Sequence, residues 1–168
     1  MEGPSLVILK ETLQPFAGKK VISASGLARL DHSGLEGKRI EAFNAWGKHF
    51  LILLEEGITL RIHFLMFGSY RINERKETAP KLRLEFADGQ EINFYTAAVK
   101  LLDAHPDEVY DWSSDVMNIA WDPLKARRKL KKQPERNVGD ALLDQDIFAG
   151  VGNIIKNEVL YRIRVHPE

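Results

Sequence analysis

The sequence has no cysteine, no net charge and no long apolar run, and each absence excludes something. Without cysteine there are no disulfides and no thiolate metal sites, which fits a reducing compartment. With 24 basic and 24 acidic residues, the overall balance points to neither a nucleic acid nor an anionic membrane. No apolar stretch approaches the roughly 18 residues of a membrane span. The first residues, Met-Glu-Gly-Pro-Ser, are acidic where a secretory leader would be basic, and Lys10-Glu11 interrupts the short apolar run that follows. We therefore expect no membrane association, a cytoplasmic location, and an N-terminus that belongs to the folded protein.

What is present is a change of period. Leu6, Leu9 and Leu13 recur at helical spacing, with Ser5 as the expected N-cap of a helix over 5–16. From 19 to 99, seven short β-rich runs are separated by turn residues, with hairpin signals at Glu56-Gly57 and Asp88-Gly89. Beyond about 100 the pattern becomes helical. Asp122-Pro123 opens one helix, and two more are expected to meet at Gly150-Val151-Gly152-Asn153. The expected class is α+β: an N-terminal antiparallel β-sandwich with a leading helix over 1–110, then a helical domain over 111–168.

Neutrality hides a local imbalance. Residues 125–136 carry Lys125, Arg127, Arg128, Lys129, Lys131, Lys132 and Arg136 against the single acid Glu135. Such a stretch is a solvated helix face or a phosphate-binding patch. Likewise, Gly150 to Asn153 is either an ordinary helical hairpin or a turn whose bare amides, at a helix N-terminus, hold a phosphate.

Three segments together resemble the formamidopyrimidine-DNA glycosylase / endonuclease VIII family, on its endonuclease VIII-like side. The first is the run from Leu142 to Pro167, with Leu143, Asp144, Gln145, Gly150, Gly152, Asn153, Glu158, Leu160 and His166 in register with the helix–two-turn–helix motif. The second is the N-terminus, where Met1 stands at the family's proline and Glu2 follows it. The third runs from Trp46 to Ile72 and aligns Lys48, His63, Met66, Gly68 and Arg71. They occur in the family's order across nearly the whole chain.

The resemblance implies a DNA-repair enzyme, a glycosylase with abasic-site lyase activity on oxidised bases. Its partner would be double-stranded DNA with a damaged or abasic site, and it would act as a monomer. Met1 would supply the N-terminal amine nucleophile and Glu2 the general acid/base. Lys48 would serve catalysis by binding a flanking phosphate, with Gly152 and Asn153 at another. Met66 would wedge into the vacated stack, and Arg71, Lys125, Arg127 and Arg128 would complete the DNA-binding set. His63 is a further family position or a structural histidine.

The sequence also departs from the family pattern. Met1 replaces the proline; a bulky Glu2 favours retention of the initiator methionine, which makes Met1 the expected true terminus. No arginine–phenylalanine loop follows Asp88-Gly89. The family's C-terminal finger is missing, so no zinc or other cofactor is expected in this chain and its helical domain is expected to be incomplete. The alternative reading is a non-catalytic homologue that binds damaged or abasic DNA.

Overall fold

The computed structural model describes residues 1–166; Pro167, the last residue of the C-terminal motif, lies outside them. The first helix, α1, spans Gly3–Leu13 and begins two residues before the expected position. Glu2, in extended conformation, is its N-cap residue, and Pro4 sits in the first turn, where its missing N–H costs nothing. Ser5 is therefore inside the helix rather than capping it. Leu6, Leu9 and Leu13 are fully buried against the sheet, and a 3₁₀ turn over Gln14–Phe16 ends the element at Pro15.

Six strands follow: β1 (Val21–Ser25), β2 (Ile40–Trp46), β3 (His49–Leu54), β4 (Thr59–Ile72), β5 (Leu82–Phe86) and β6 (Glu91–Leu101). They form one antiparallel sheet in the order β1-β5-β6-β4-β3-β2. The two layers expected of a sandwich are thus one continuous sheet that curls over α1. Its outer strands meet at one corner, where Lys20 bridges Arg39 and Gly18 N–H donates to the Ile40 carbonyl at 2.8 Å. Inside the curl, Phe43, Phe50, Phe86 and Phe94 pack with the α1 leucines. Replacing Leu9 by alanine removes a fully buried side chain from this core; urea denaturation should show a loss of about 2–5 kcal/mol.

The expected hairpins are present. Glu56 and Gly57 both take positive φ, +64° and +74°, as a primed two-residue turn requires; Gly89 does the same at +77°. One expectation is revised. The segments read as separate strands on either side of Met66 are the single strand β4, whose pairing with β6 shifts register between Phe64 and Ser69. The bulge pushes Leu65, Met66 and Phe67 outward, the last two 79% and 88% exposed. Phe67 has φ +64°. Gly68 must be glycine here, because a Cβ would stand 2.8 Å from the Thr96 carbonyl and 2.9 Å from that of Leu65.

After β6 come the short α2 (Pro106–Val109), then α3 (Pro123–Lys131), α4 (Val138–Leu143), α5 (Gln145–Phe148) and α6 (Asn153–Ile163). Asp122 caps α3 as expected, accepting from Leu124 N–H at 2.9 Å and Lys125 N–H at 3.0 Å. The two helices expected after it are three. Asp144 leaves helical geometry at ψ 111° and its carboxylate caps α5 instead. Between β6 and α3, Tyr110 stacks on Trp46 of β2 at 4.7 Å, and Trp46 Nε1–H donates to the Asp111 carbonyl at 3.0 Å. No described helix is long and apolar enough to cross a membrane.

Candidate functional site

Three distant segments meet backbone to backbone: the N-terminus, the Gly47-Lys48 turn joining β2 to β3, and the loop from Gly150 to Asn153. Gly3 N–H donates to the Gly150 carbonyl at 2.9 Å. A Cβ on Gly3 would approach Gly150 Cα to 3.2 Å, and one on Gly47 would stand 3.1 Å from Ala149 Cβ and 3.3 Å from Gly150 N. Gly47 and Gly150 also hold positive φ, +57° and +99°. Glycine at all three positions lets the chains approach this closely.

Glu2 crosses this junction. Its Oε1 accepts from Ile154 N–H at 2.8 Å and its Oε2 from Ile155 N–H at 3.1 Å. It thereby caps α6, whose own N-cap residue, Gly152, has no side chain to do so. A carboxylate at this position also meets the positive end of the helix dipole. Gly152 is obligatory in turn, because a Cβ there would lie 2.4 Å from Glu2 Oε1. The bare amides that the sequence offered to an external phosphate are thus partly occupied by the protein's own carboxylate. Asn153 remains exposed at the first position of α6.

Lys48 is half-buried beside Gly47. Among the described residues, neither Lys48 nor the Met1 amine has an ion-pair partner. The charges of both reach His63, which lies opposite His49 on the neighbouring strand. Burial, then the charges of Lys48, the amine and Arg61, hold the His63 imidazole below its ordinary pKa. His49 is pushed down to about 4, first by burial and then by Arg61 and His63. The corner is electropositive, and its histidines are neutral at pH 7.

Two residues that sequence reasoning did not single out organise this corner. Asp115, 3% exposed, accepts from Gly47 N–H at 3.1 Å and from Met117 N–H at 2.9 Å. Gln145 was read only as part of a motif. Its Oε1 accepts from Gly150 N–H at 3.1 Å and its Nε2 donates to the Val151 carbonyl at 3.0 Å, fixing the loop before α6.

The remaining expected residues are distributed differently. Met66 stands on the β4 bulge, with Phe67, unmarked in the sequence, even more exposed beside it. Arg71 lines a groove with Met1, Tyr70 and Glu74, and its Nε lies 3.7 Å from the Glu74 carboxylate. Part of the α3 patch is paired within the protein. Lys125 Nζ donates to Asp111 at 2.7 Å and to Ser113 Oγ at 2.8 Å, holding the Asp111 carboxyl down to about 2. Arg128 pairs with Asp122 at 3.4 Å. Of the three α3 residues expected to face DNA, Arg127 alone is exposed without an ion-pair partner among the described residues. Among those residues no group of three or more His, Asp or Glu side chains converges as metal ligands.

Comparison with known proteins gives the same segments. Residues 2–97 match the formamidopyrimidine-DNA glycosylase N-terminal domain, and residues 115–168 the formamidopyrimidine-DNA glycosylase H2TH domain. A probable endonuclease 8 2 of Streptomyces coelicolor is 30% identical over 142 residues, covering 79% of this chain and 51% of that protein. The DNA-(apurinic or apyrimidinic site) lyase Nei2 of Mycolicibacterium smegmatis is 31% identical over 131 residues, 76% of this chain and 52% of that one. The chain spans about half the length of these curated relatives. Among solved structures, the Lactococcus lactis Fpg in complex with abasic-site DNA superposes with a TM-score of 0.84. It is 26% identical and covers all of this chain and 69% of that one.

Proposed function

The chain belongs to the formamidopyrimidine-DNA glycosylase family, and from that premise we propose that it is a bifunctional glycosylase and abasic-site lyase acting in the repair of damaged DNA. The observation that carries this reading is the glycine junction. It places an amine, a carboxylate and an unpaired lysine at one electropositive corner.

At that corner the chemistry runs as follows. An α-amine has a pKa of about 8, so part of it is neutral near pH 7, unlike a lysine at about 10.4. The Met1 nitrogen attacks the sugar C1′ and the damaged base leaves with the bonding pair. Ring opening and proton loss from nitrogen give an imine; at an abasic aldehyde the same amine adds and water departs. Removal of a C2′ proton then expels the 3′ phosphate as the strand is cut. Glu2, next in sequence to the amine, carries the protons among nitrogen, ring oxygen and solvent. Lys48 holds a phosphate flanking the lesion, and Asn153 with the free part of the α6 terminus holds another. The damaged nucleotide turns out of the stack, and Met66 and Phe67 occupy the gap as apolar wedges. Glu2 binds two amides of α6, one through each oxygen, so the oxygens that would carry the proton are also the cap of that helix.

That last feature also favours a second reading, a homologue that grips abasic DNA without cutting it: a carboxylate committed to a helix end and methionine in place of proline both weaken the chemistry. Borohydride with abasic-site DNA separates the two. A covalent protein–DNA adduct, mapped to Met1 by peptide mass, is the expected result. Salt-sensitive binding with no adduct would leave only the second reading.

A further inference from the structure

Asp115 has no part in the chemistry above, and it is the most completely buried carboxylate among the described residues at the junction. Burial raises its pKa, while its bonds to Gly47 and Met117 oppose that rise. A buried ionised carboxylate is costly unless hydrogen-bonded. Both acceptors here serve backbone amides of segments that border the site. Gly47 is covalently joined to Lys48. Met117 covers the start of α1, its Cγ only 3.1 Å from where a Cβ on Gly3 would be. Around Asp115 the backbone pairs with the loop on the other side: Ala149 N–H donates to the Ser114 carbonyl at 2.8 Å, and Val116 N–H to that of Ala149 at 3.1 Å. The Asp115 side chain thus ties the β2–β3 turn to the residues over α1, and the backbone on either side of it holds the approach to α6.

We infer that Asp115 is the positioning residue for Lys48. It fixes the left-handed Gly47 turn by its amide and so aims the lysine into the corner shared with the Met1 amine. The inference rests on the reading of Lys48 as a working residue and assigns the residue that places it. An asparagine at 115 keeps the shape but presents one N–H₂ group to an amide that needs an acceptor. Where that group faces Gly47, the turn loses its side-chain acceptor, and Lys48 samples positions from which the phosphate contact is not made.

The test is a mutant cycle on the whole chain, reading the rate of borohydride-trapped adduct with abasic DNA. D115N is expected to slow trapping by about tenfold to a hundredfold, as is K48A. The double variant should be no slower than K48A alone, because the two act as one unit. Losses that multiply, or a D115N rate equal to wild type, would overturn the inference. Amide hydrogen exchange supplies a readout independent of activity. Exchange at Gly47 and Met117 should quicken by at least about tenfold in D115N while the amides of β4 and β6 stay unchanged; equal exchange at Gly47 also overturns it. Should D115N not fold, D115S, whose hydroxyl still accepts from one amide, enters the same cycle. A wild-type protein that yields no adduct would count against the amine-nucleophile reading alone, and the exchange comparison would still decide the role of Asp115.

Discussion

Replacing Glu2 by glutamine should slow adduct formation with abasic DNA by about a hundredfold or more, while leaving the protein folded. Two roles meet in this side chain, and the amide separates them. As a cap, Glu2 satisfies the N–H groups of Ile154 and Ile155. Glutamine keeps one carbonyl oxygen for that purpose, so the expected thermodynamic loss is about 1 kcal/mol. As an acid/base, glutamine is inert, because its amide neither gives nor takes a proton near neutral pH. Single-turnover trapping and urea denaturation on the same preparation read the two roles apart. A rate reduced only in proportion to stability would assign Glu2 to capping alone.

Gly152→Ala should be at least as damaging, from the opposite direction. The new methyl would lie 2.4 Å from Glu2 Oε1, 2.5 Å from Cδ and 2.7 Å from Cγ, far inside van der Waals contact. Glu2 is the movable partner, and its displacement uncaps α6 and removes the carboxylate from the amine together. We expect trapping to fall by about a hundredfold and stability by roughly 1–3 kcal/mol. Gly57→Ala, at a turn with open space around it, is the control for glycine replacement as such. If Gly152→Ala traps as fast as wild type, Glu2 is not needed at that position.

Where the determinants are local, the sequence was read correctly. The leucine spacing of α1 needs only a helical period, Asp122-Pro123 is a self-contained start signal, and Glu56-Gly57 and Asp88-Gly89 are turns by their own conformational preferences. The misplaced boundaries have non-local causes. The first helix begins at Gly3 rather than Ser5, because Glu2 before it is held by amides at the other end of the chain. β4 is one strand because a bulge, supported by Gly68 against Thr96, carries Leu65-Met66-Phe67 through a register shift. Three consecutive apolar residues otherwise read as core. The helix after Leu143 breaks because Asp144 caps a new turn.

The site divides in the same way. Its glycines, Glu2, Lys48 and Asn153 were legible as three motifs in a known order, and the fold brings those motifs together. Asp115 was not, since a lone acid in a linker acquires meaning only from the amides it meets. The ion pairs of Lys125 and Arg128 were not legible, because their partners Asp111 and Asp122 precede the patch and look unrelated to it.

The bonds from Ile154 and Ile155 to Glu2 join residues 152 and 153 positions apart. Contacts this distant in sequence form only once a large chain loop has closed, and they close late in folding. On the proposed mechanism, segments about 150 positions apart must therefore meet before the site is complete. Until α6 has emerged and docked, the amine has neither its carboxylate in place nor its neighbouring turn fixed. On the proposed mechanism, a nascent or partly unfolded chain has no assembled imine-forming centre, and competence toward DNA depends on those long-range contacts.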